Sequence, residues 1–569
     1  MNLLSLNDDV LLHIFTHLQG GDALRVCLTC KGIYCLAIGR VASVAQCWSP
    51  PQLRQLCDYF SSPDSYTAVL RAKYLENLTI HASTFEKDLY ASDSQGVDID
   101  DLELDGQSLV GTDFSQAHLV GELLLHAQNI QELSLDRFHA LIEAHASIPG
   151  SFSSMHRLAH VRLSMVGDGT LDSLRYLADP KRLTLSYHTE YDDPLDEPKT
   201  LPPLVQALAR FDNLHTVKLW NFTPPHTESA ALPYLPSVRY LRLSQSSVPA
   251  LSMVELCPNL STLVFSVDSD FGDVVASSGP RWHPLRRLML ATPEEAVCVV
   301  DRVKTVDLLQ IAGALELVGF SAPEDGDAVS QFLELLSTAS PISLYVSVRV
   351  GMGGFSSSFW RDITAYAPRL RSLELKLYHF LSQSGEDGDW LTRLYLEALR
   401  GIHVHVLKIL VPPTPQPIRM IYSWELDSEV DNLGALSDAK TREKERVYAL
   451  AALPRPLVDA IPSLRYLSVA DMAPNPALWD DSLVESHDVA SNGTRKDVVY
   501  EWDELRHVDC IREQRWWKIV DDRGRRSLVE ISEDEGRDAQ HMIEEGGSAM
   551  TAHIEGEYIS RCHLVPRVD

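Results

Sequence analysis

Among the side chains able to do chemistry, the cysteines have the first claim. Cys27-x-x-Cys30 with Cys35 supplies half of a zinc spacing, but zinc needs a second pair, and these cysteines fall where a helical pattern asks for buried residues. His403-x-His405 has strand spacing, which would set both imidazoles on one face, with no third ligand nearby in sequence. Asp270-Phe-Gly272 repeats the magnesium-binding triplet of kinases, without a His-Arg-Asp loop or a Gly-x-Gly-x-x-Gly loop to accompany it. Gly351-Met-Gly-Gly354 follows a strand-like run from Leu344 to Val350 and lacks the Lys-Ser/Thr ending of a phosphate loop. Neither Gly-x-Ser-x-Gly nor His-Glu-x-x-His occurs. The sequence therefore predicts no catalytic set, no metal site and no cofactor. A hydrolase within 150–400 stays as a rival, favoured if a nucleophile sits beside a base in a pocket.

The remaining chemistry is recognition by charge. Arg162, Lys218, Tyr240, Arg242 and Arg287 occupy polar sites next to the apolar residues of short strand-like runs, joined by His160. Earlier runs place Asp101, Glu103 and Glu132 at such sites, and a later one places Glu374 there. Against a net charge of −29, a basic and aromatic strip stands out, and guanidinium groups suit bidentate contacts to carboxylate or phosphate. The expectation is a surface for an acidic or phosphorylated protein segment. The alternative is that these side chains pair with neighbouring acids such as Asp212, or stay hydrated.

The elements that would carry such a strip recur along the chain. Leu75-x-x-Leu78-x-Ile80, Ile99-x-x-Leu102-x-Leu104, Ile130-x-x-Leu133-x-Leu135 and Leu158-x-x-Val161-x-Leu163 share one pattern, which returns at Leu214, Val238, Leu260, Leu285, Leu370, Val404, Leu464 and Leu505. In four copies a proline stands two residues ahead, at Pro236, Pro258, Pro368 and Pro462, ending a helix before the strand begins. The last two apolar residues of each unit alternate with a polar one, so they share the inner face of a short strand. One strand and one helix cannot bury that face alone, whereas stacked neighbours build a continuous core along a parallel sheet. The rival is an ordinary α/β domain with amphipathic strands.

Composition sets outer limits. The chain has 569 residues, of which 45% are hydrophobic, and no run long enough to span a membrane. Nine cysteines, five of them before residue 60, imply a reducing compartment without a disulfide framework. The amino terminus shows neither a basic flank nor a cleavable apolar stretch, so the sequence predicts a cytoplasmic or nuclear protein, and the four sequons from Asn77 to Asn492 read as chance. The acidic balance argues against nucleic acid and anionic membrane as partners.

The first forty residues read as a helical module of their own. Asn7 stands at a helix start with Asp8 and Asp9 in the first turn, and Leu6 can staple back onto Leu11. Val10, Leu11, Ile14, Phe15 and Leu18 recur at one-, three- and four-residue steps, Gly20-Gly21 is expected to end the helix, and Asp22 to cap a second. Leu24, Leu28, Ile33 and Leu36 are expected inward, with Lys31 and Arg40 in water. Leu6-x-x-Asp9-Val10-Leu11-x-x-Ile14-Phe15-x-x-Leu18, then Asp22-x-Leu24 and Leu28-x-Cys30-Lys31-x-x-Tyr34, resembles an F-box, the motif that docks on the Skp adaptor of SCF-type cullin–RING ubiquitin ligases. Where the family usually has Leu-Pro this chain has Leu6-Asn7, and where it usually has Trp this chain has Tyr34.

The resemblance implies that Leu6, Val10, Leu11, Ile14, Phe15, Leu18, Leu24, Leu28, Cys30, Lys31 and Tyr34 hold the adaptor. It further implies a non-catalytic subunit whose remaining chain binds a protein substrate, with ubiquitin transfer done by partners through proximity. The fold class expected is α/β: a short N-terminal three-helix F-box, then an irregular leucine-rich-repeat-like solenoid with parallel strands, then a C-terminal β-hairpin cap. The boundaries are 1–45 for the F-box, 46–70 for a helical connector and 71–510 for the repeats, with an insertion at about 411–462 that opens on Pro412-Pro-Thr-Pro-Gln-Pro417. The hairpin covers 511–535 around Trp516 and Trp517, one indole buried and one available, and an acidic tail covers 536–569. A repeat scaffold with no ligase role is the second rival.

Overall fold

The computed structural model describes residues 6–18, 20–64, 69–87, 111–187, 200–225, 232–267, 277, 279–317, 325–350, 357–379, 396, 399–411, 447–472 and 511–545. The run at 99–104 with Asp101 and Glu103, the Asp270 and Gly351 motifs, Pro412–Pro417 and the run at Leu505 lie outside the described residues. The chain folds as two compact units, 1–272 and 273–569. No helix among the described residues is long and apolar enough to cross a membrane.

The first unit opens with helices α1 (Asp8–Thr16), α2 (Gly20–Cys27) and α3 (Lys31–Val41), followed by strand β1 (Val44–Cys47) and helix α4 (Pro50–Ser61). Pro50 and Pro51 occupy the first two positions of α4, where a missing N–H costs nothing. The next strands are β2 (Asn77–Ile80), a short antiparallel pair β3 (Glu86–Lys87) and β4 (Gly111–Thr112), β5 (Glu132–Leu135), β6 (His160–Val166), β7 (Arg182–Tyr187), β8 (Thr216–Trp220), β9 (Tyr240–Ser246) and β10 (Thr262–Val267). Apart from the short pair they form a sheet in chain order, every neighbour parallel. Alternation does what the sequence asks: Leu133, Leu135, Val161, Leu163, Leu241 and Leu243 are buried at 2% exposure or less under the connecting helices and turns, while the residues between them form a polar face. Strand β7 breaks the apolar pattern because Pro180 fills the first apolar slot, yet Leu183 and Leu185 are fully buried.

Small polar residues just ahead of the first apolar position tie these strand-and-helix units together. Asn129 Nδ2 donates to the Lys73 carbonyl at 2.6 Å, Ser237 Oγ to Phe211 at 3.3 Å and Asn259 Nδ2 to Pro236 at 2.8 Å. Each bond reaches the preceding unit. Far-end bonds add to them: Asp136, just after β5, accepts the Ala82 N–H at 3.2 Å and the Ser164 hydroxyl at 2.6 Å.

The second unit contains β11 (Leu285–Leu290), β12 (Val306–Leu317), β13 (Ser343–Val350), β14 (Ser372–His379), β15 (Val406–Val411) and β16 (Tyr466–Met472), all parallel in that order. Ser463, at the same near-end position, donates to the Val404 carbonyl at 2.8 Å. Then β17 (Ile511–Asp522) turns antiparallel on β16 and pairs with β18 (Arg525–Ile531) through a turn in which Gly524 takes a φ of 83°. The hairpin lies where the sequence predicts. The expectation that one indole stays available is corrected: Trp516 is 1% exposed and Trp517 8%. Trp516 lies beneath a helix, Glu533–Glu544, in the stretch read from sequence as the end of the hairpin and the start of an acidic tail. That helix starts from Ser532, whose hydroxyl accepts the Glu535 N–H, and Glu533, Asp534 and Glu535 complement its positive end. Acidic composition reads as solvated tail, but Gly536 and Ala539 give this helix one flat side that packs on the indole.

Candidate docking surfaces

The three N-terminal helices bury Leu11, Phe15, Cys27, Ile33, Ala37 and Ile38 together, with Leu6, Leu18, Cys30 and Tyr34 packed around them. What remains outside is apolar: Val10 is 46% exposed, Leu12 44%, Ile14 36%, Leu24 46% and Leu28 77%. The expectation that Leu24 and Leu28 point inward is therefore corrected. Val10 and Ile14 lie about 100° round α1 from Leu11 and Phe15, on the edge of the buried stripe. Of the predicted adaptor contacts, Leu11 and Phe15 hold the module together, while Val10, Ile14, Leu24 and Leu28 are exposed, as is Lys31; Leu12, also exposed, lies on the opposite flank of α1 from Val10 and Ile14. Gly20-Gly21 does not end α1 but begins α2, which leaves Asp22 in the first turn and not at the cap. Asn7 sits at the α1 cap position, where its carbonyl and not its side chain accepts the first N–H groups. Arg40 is half-buried and donates to the Leu18 carbonyl at 3.0 Å.

Tyr34 ties this module to the chain that follows. Its hydroxyl donates to Asp64 Oδ2 at 2.7 Å, and the Asp64 side chain is fully buried, with Arg71 Nε 3.9 Å away. Arg71 stacks over the Tyr59 ring at 4.6 Å. Burial first, and the Asp64 carboxylate next, push the Tyr34 phenol up to about 12. An indole at position 34 would fill the space without this hydroxyl. The signal for Asp64 is absent from local sequence because its partners lie 30 residues before it and in the turn after it.

The polar face of the first sheet gathers most of the predicted basic strip. Ser134, Arg162, Thr184, Lys218 and Arg242 are successive cross-strand neighbours on β5 to β9. Tyr240 lies in the adjoining row, beside Thr216 and Thr262, and Ser164, Ser186, Trp220 and Ser244 make the row beyond. With strands about 4.8 Å apart, Lys218 and Arg242 are neighbours and Arg162 stands roughly 10 Å from Lys218. Arg242 stacks on Trp220 at 4.6 Å and its Nε donates to Ser244 Oγ at 2.7 Å, which fixes its plane. Among the described residues neither Arg162 nor Arg242 has a carboxylate within ion-pair distance. His160 does, pairing with Glu132 at 2.9 Å. At the β1 edge Trp48, 53% exposed, stacks on His81 with ring centroids 3.3 Å apart. Burial holds His81 below the usual imidazole range, against the pull of Asp136.

Arg287, the remaining member of the predicted set, belongs to the second unit. It lies on β11 and donates to Gln310 Oε1 at 2.7 Å. Glu374 pairs with Lys408 on the neighbouring strand at 3.0 Å. His403 and His405 precede β15 and lie outside any strand, with ring centroids 6.0 Å apart. Among the described residues no group of three or more His, Cys, Asp or Glu could hold a metal ion. The buried thiols of Cys57, Cys257 and Cys298 are pushed up to about 12 by desolvation.

Residues 3–38 match the F-box domain family. No curated protein matches the chain. The N-terminal module is thus an F-box, with the exposed apolar side chains just described on its surface.

Proposed function

We propose that this chain is the non-catalytic substrate-recognition subunit of an SCF-type cullin–RING ubiquitin ligase, in the cytoplasm or nucleus. The F-box docks on the Skp adaptor through Val10, Ile14, Leu24 and Leu28, and the residues after about 71 form an irregular leucine-rich-like solenoid that holds a protein substrate. The observation that carries the reading is the set of exposed apolar side chains on a module that matches the F-box family. Apolar side chains left in water at such density mark an interaction site. The substrate presents an acidic or phosphorylated segment to Arg162, Lys218 and Arg242, with Tyr240 and Trp220 beside them. Two guanidinium groups without carboxylate partners among the described residues support this, on a chain of net charge −29.

The ligase role is tested by affinity purification under proteasome inhibition, comparing the full chain with a form lacking the F-box. Both should retain the substrate, and only the full chain should retain the adaptor and accumulate ubiquitinated substrate. Adaptor recovered equally with both forms would refute the assignment.

A further inference from the structure

The segments leading into β15 and β16, the β17–β18 hairpin and the C-terminal helix of the second unit frame a cleft of about 640 Å³. Its size is that of a ligand site. Leu464 lines it from the segment before β16, Ile519 from β17, and Ala539, Met542 and Ile543 from the helix. Met542 is 66% exposed, an unusual position for a large apolar side chain on the acidic helix Glu533–Glu544. Of the carboxylates on this stretch, Glu544 accepts the hydroxyls of Ser343 and Ser372, both at 2.9 Å, and Glu545 meets Arg286 at 3.2 Å, while Asp538 is exposed to solvent. The helix turns apolar side chains toward the cleft.

The rim is basic. His403, His405, Arg465 and Lys518 stand on it, and among the described residues neither Arg465 nor Lys518 has a carboxylate within ion-pair distance. Arg526 also lines the cleft but spends its guanidinium on the carbonyls of Val458, Ile461 and Leu464. Asp521 is the one acid among the lining residues, and it accepts the Gly524 N–H at 2.9 Å in the hairpin turn. A mixed lining with apolar side chains from Ile519, Met542 and Ile543, flanked by two cations that have no carboxylate partner among the described residues, is complementary to a chain that alternates carboxylates with a bulky apolar side chain.

We propose that this cleft binds an acidic segment of a partner protein that carries such an apolar side chain. The apolar group enters over Leu464, Ile519 and Met542, and the flanking carboxylates meet Arg465 and Lys518. The site is separate in residues from the Arg162, Lys218 and Arg242 face and does not depend on the ligase reading.

The test uses the full chain and three fluorescently labelled peptides: one rich in Glu with a central pair of Leu, one with Lys in place of Glu, and one with Ser in place of Leu. The Glu/Leu peptide should bind at least about tenfold more tightly than either control, weakening as salt is raised. The double variant Arg465→Glu/Lys518→Glu should lose that binding, as should Met542→Asp, while Arg162→Glu/Lys218→Glu/Arg242→Glu should keep it. Because all three cleft residues are exposed, unchanged tryptophan emission confirms that the variants fold. Equal binding by the Lys peptide, or unchanged affinity in the double variant, overturns the proposal. Self-association of the chain that disappears in the double variant would assign the cleft to a second copy. Binding seen only after removal of residues beyond 545 would assign it to the chain's own end. Either result likewise overturns the proposal.

Discussion

Replacing Tyr34 by Phe removes a single oxygen, and the structure says what that oxygen does. It donates to a carboxylate with no solvent exposure, at 2.7 Å, and joins α3 to the segment after α4. A hydrogen bond to a charged group contributes about 1.5–3 kcal/mol, and removing it leaves Asp64 less satisfied where water cannot enter. At 1.4 kcal/mol per factor of ten, amide exchange through local opening of the F-box helices should speed up by roughly tenfold to a hundredfold. Hydrogen exchange with mass spectrometry on the full chain reads this peptide by peptide, so the sheet serves as an internal reference. The bond also has a pH signature. The phenol is raised from its ordinary value near 10 to about 12, so its contribution is whole below pH 10 and is lost as pH rises through 12. Tyr34→Phe should abolish that alkaline weakening. Exchange in residues 8–41 that changes less than about twofold in the variant would refute the account of this contact.

Other consequences follow from the same contacts. A Cβ at Gly536 would stand 2.3 Å from the Trp516 ring, so Gly536→Ala should lift the C-terminal helix and shift tryptophan emission to the red, at a cost of about 1–3 kcal/mol. Among the seven cysteines described, exposed Cys35 should react first with a maleimide at neutral pH, whereas Cys57, Cys257 and Cys298, buried and raised to about 12, should resist until the chain unfolds. Reversing Arg162, Lys218 and Arg242 to Glu should weaken substrate capture, increasingly so at low salt, and leave adaptor binding unchanged; unaltered substrate recovery would remove that face from the account.

Legibility in the sequence differed by feature for physical reasons. The proline before β9, β10, β14 and β16 and the alternating leucines mark a helix ending and a half-buried strand, both local effects, and these strands lie where the pattern puts them. The near-end ladder was present in the same text as Asn129, Asn259 and Ser463, one residue before the first apolar site, but its partners are carbonyls of the preceding unit and only stacking reveals them. Leu24 and Leu28 misled because an apolar residue on a short helix is ordinarily buried, whereas here the core of three helices is already filled by Leu11, Phe15 and Ile33. The strip of Arg162, Lys218 and Arg242 was readable because strand alternation alone sets the face, and parallel pairing then puts those residues in one row.

In the proposed function the exposed apolar side chains of the F-box, and not its core, hold the adaptor. Leu11→Asp cannot test this, because Leu11 is 2% exposed and a charge there unfolds the module. Leu24→Asp/Leu28→Asp can, since both side chains are in water in the free chain. Interface anchors contribute about 2 kcal/mol or more each, roughly thirtyfold in Kd, so the double variant should bind purified Skp adaptor several hundredfold more weakly in calorimetry. Hydrogen exchange across residues 8–41 should stay as in the parent chain. Adaptor binding at the parent affinity, with the F-box intact, would contradict the claim.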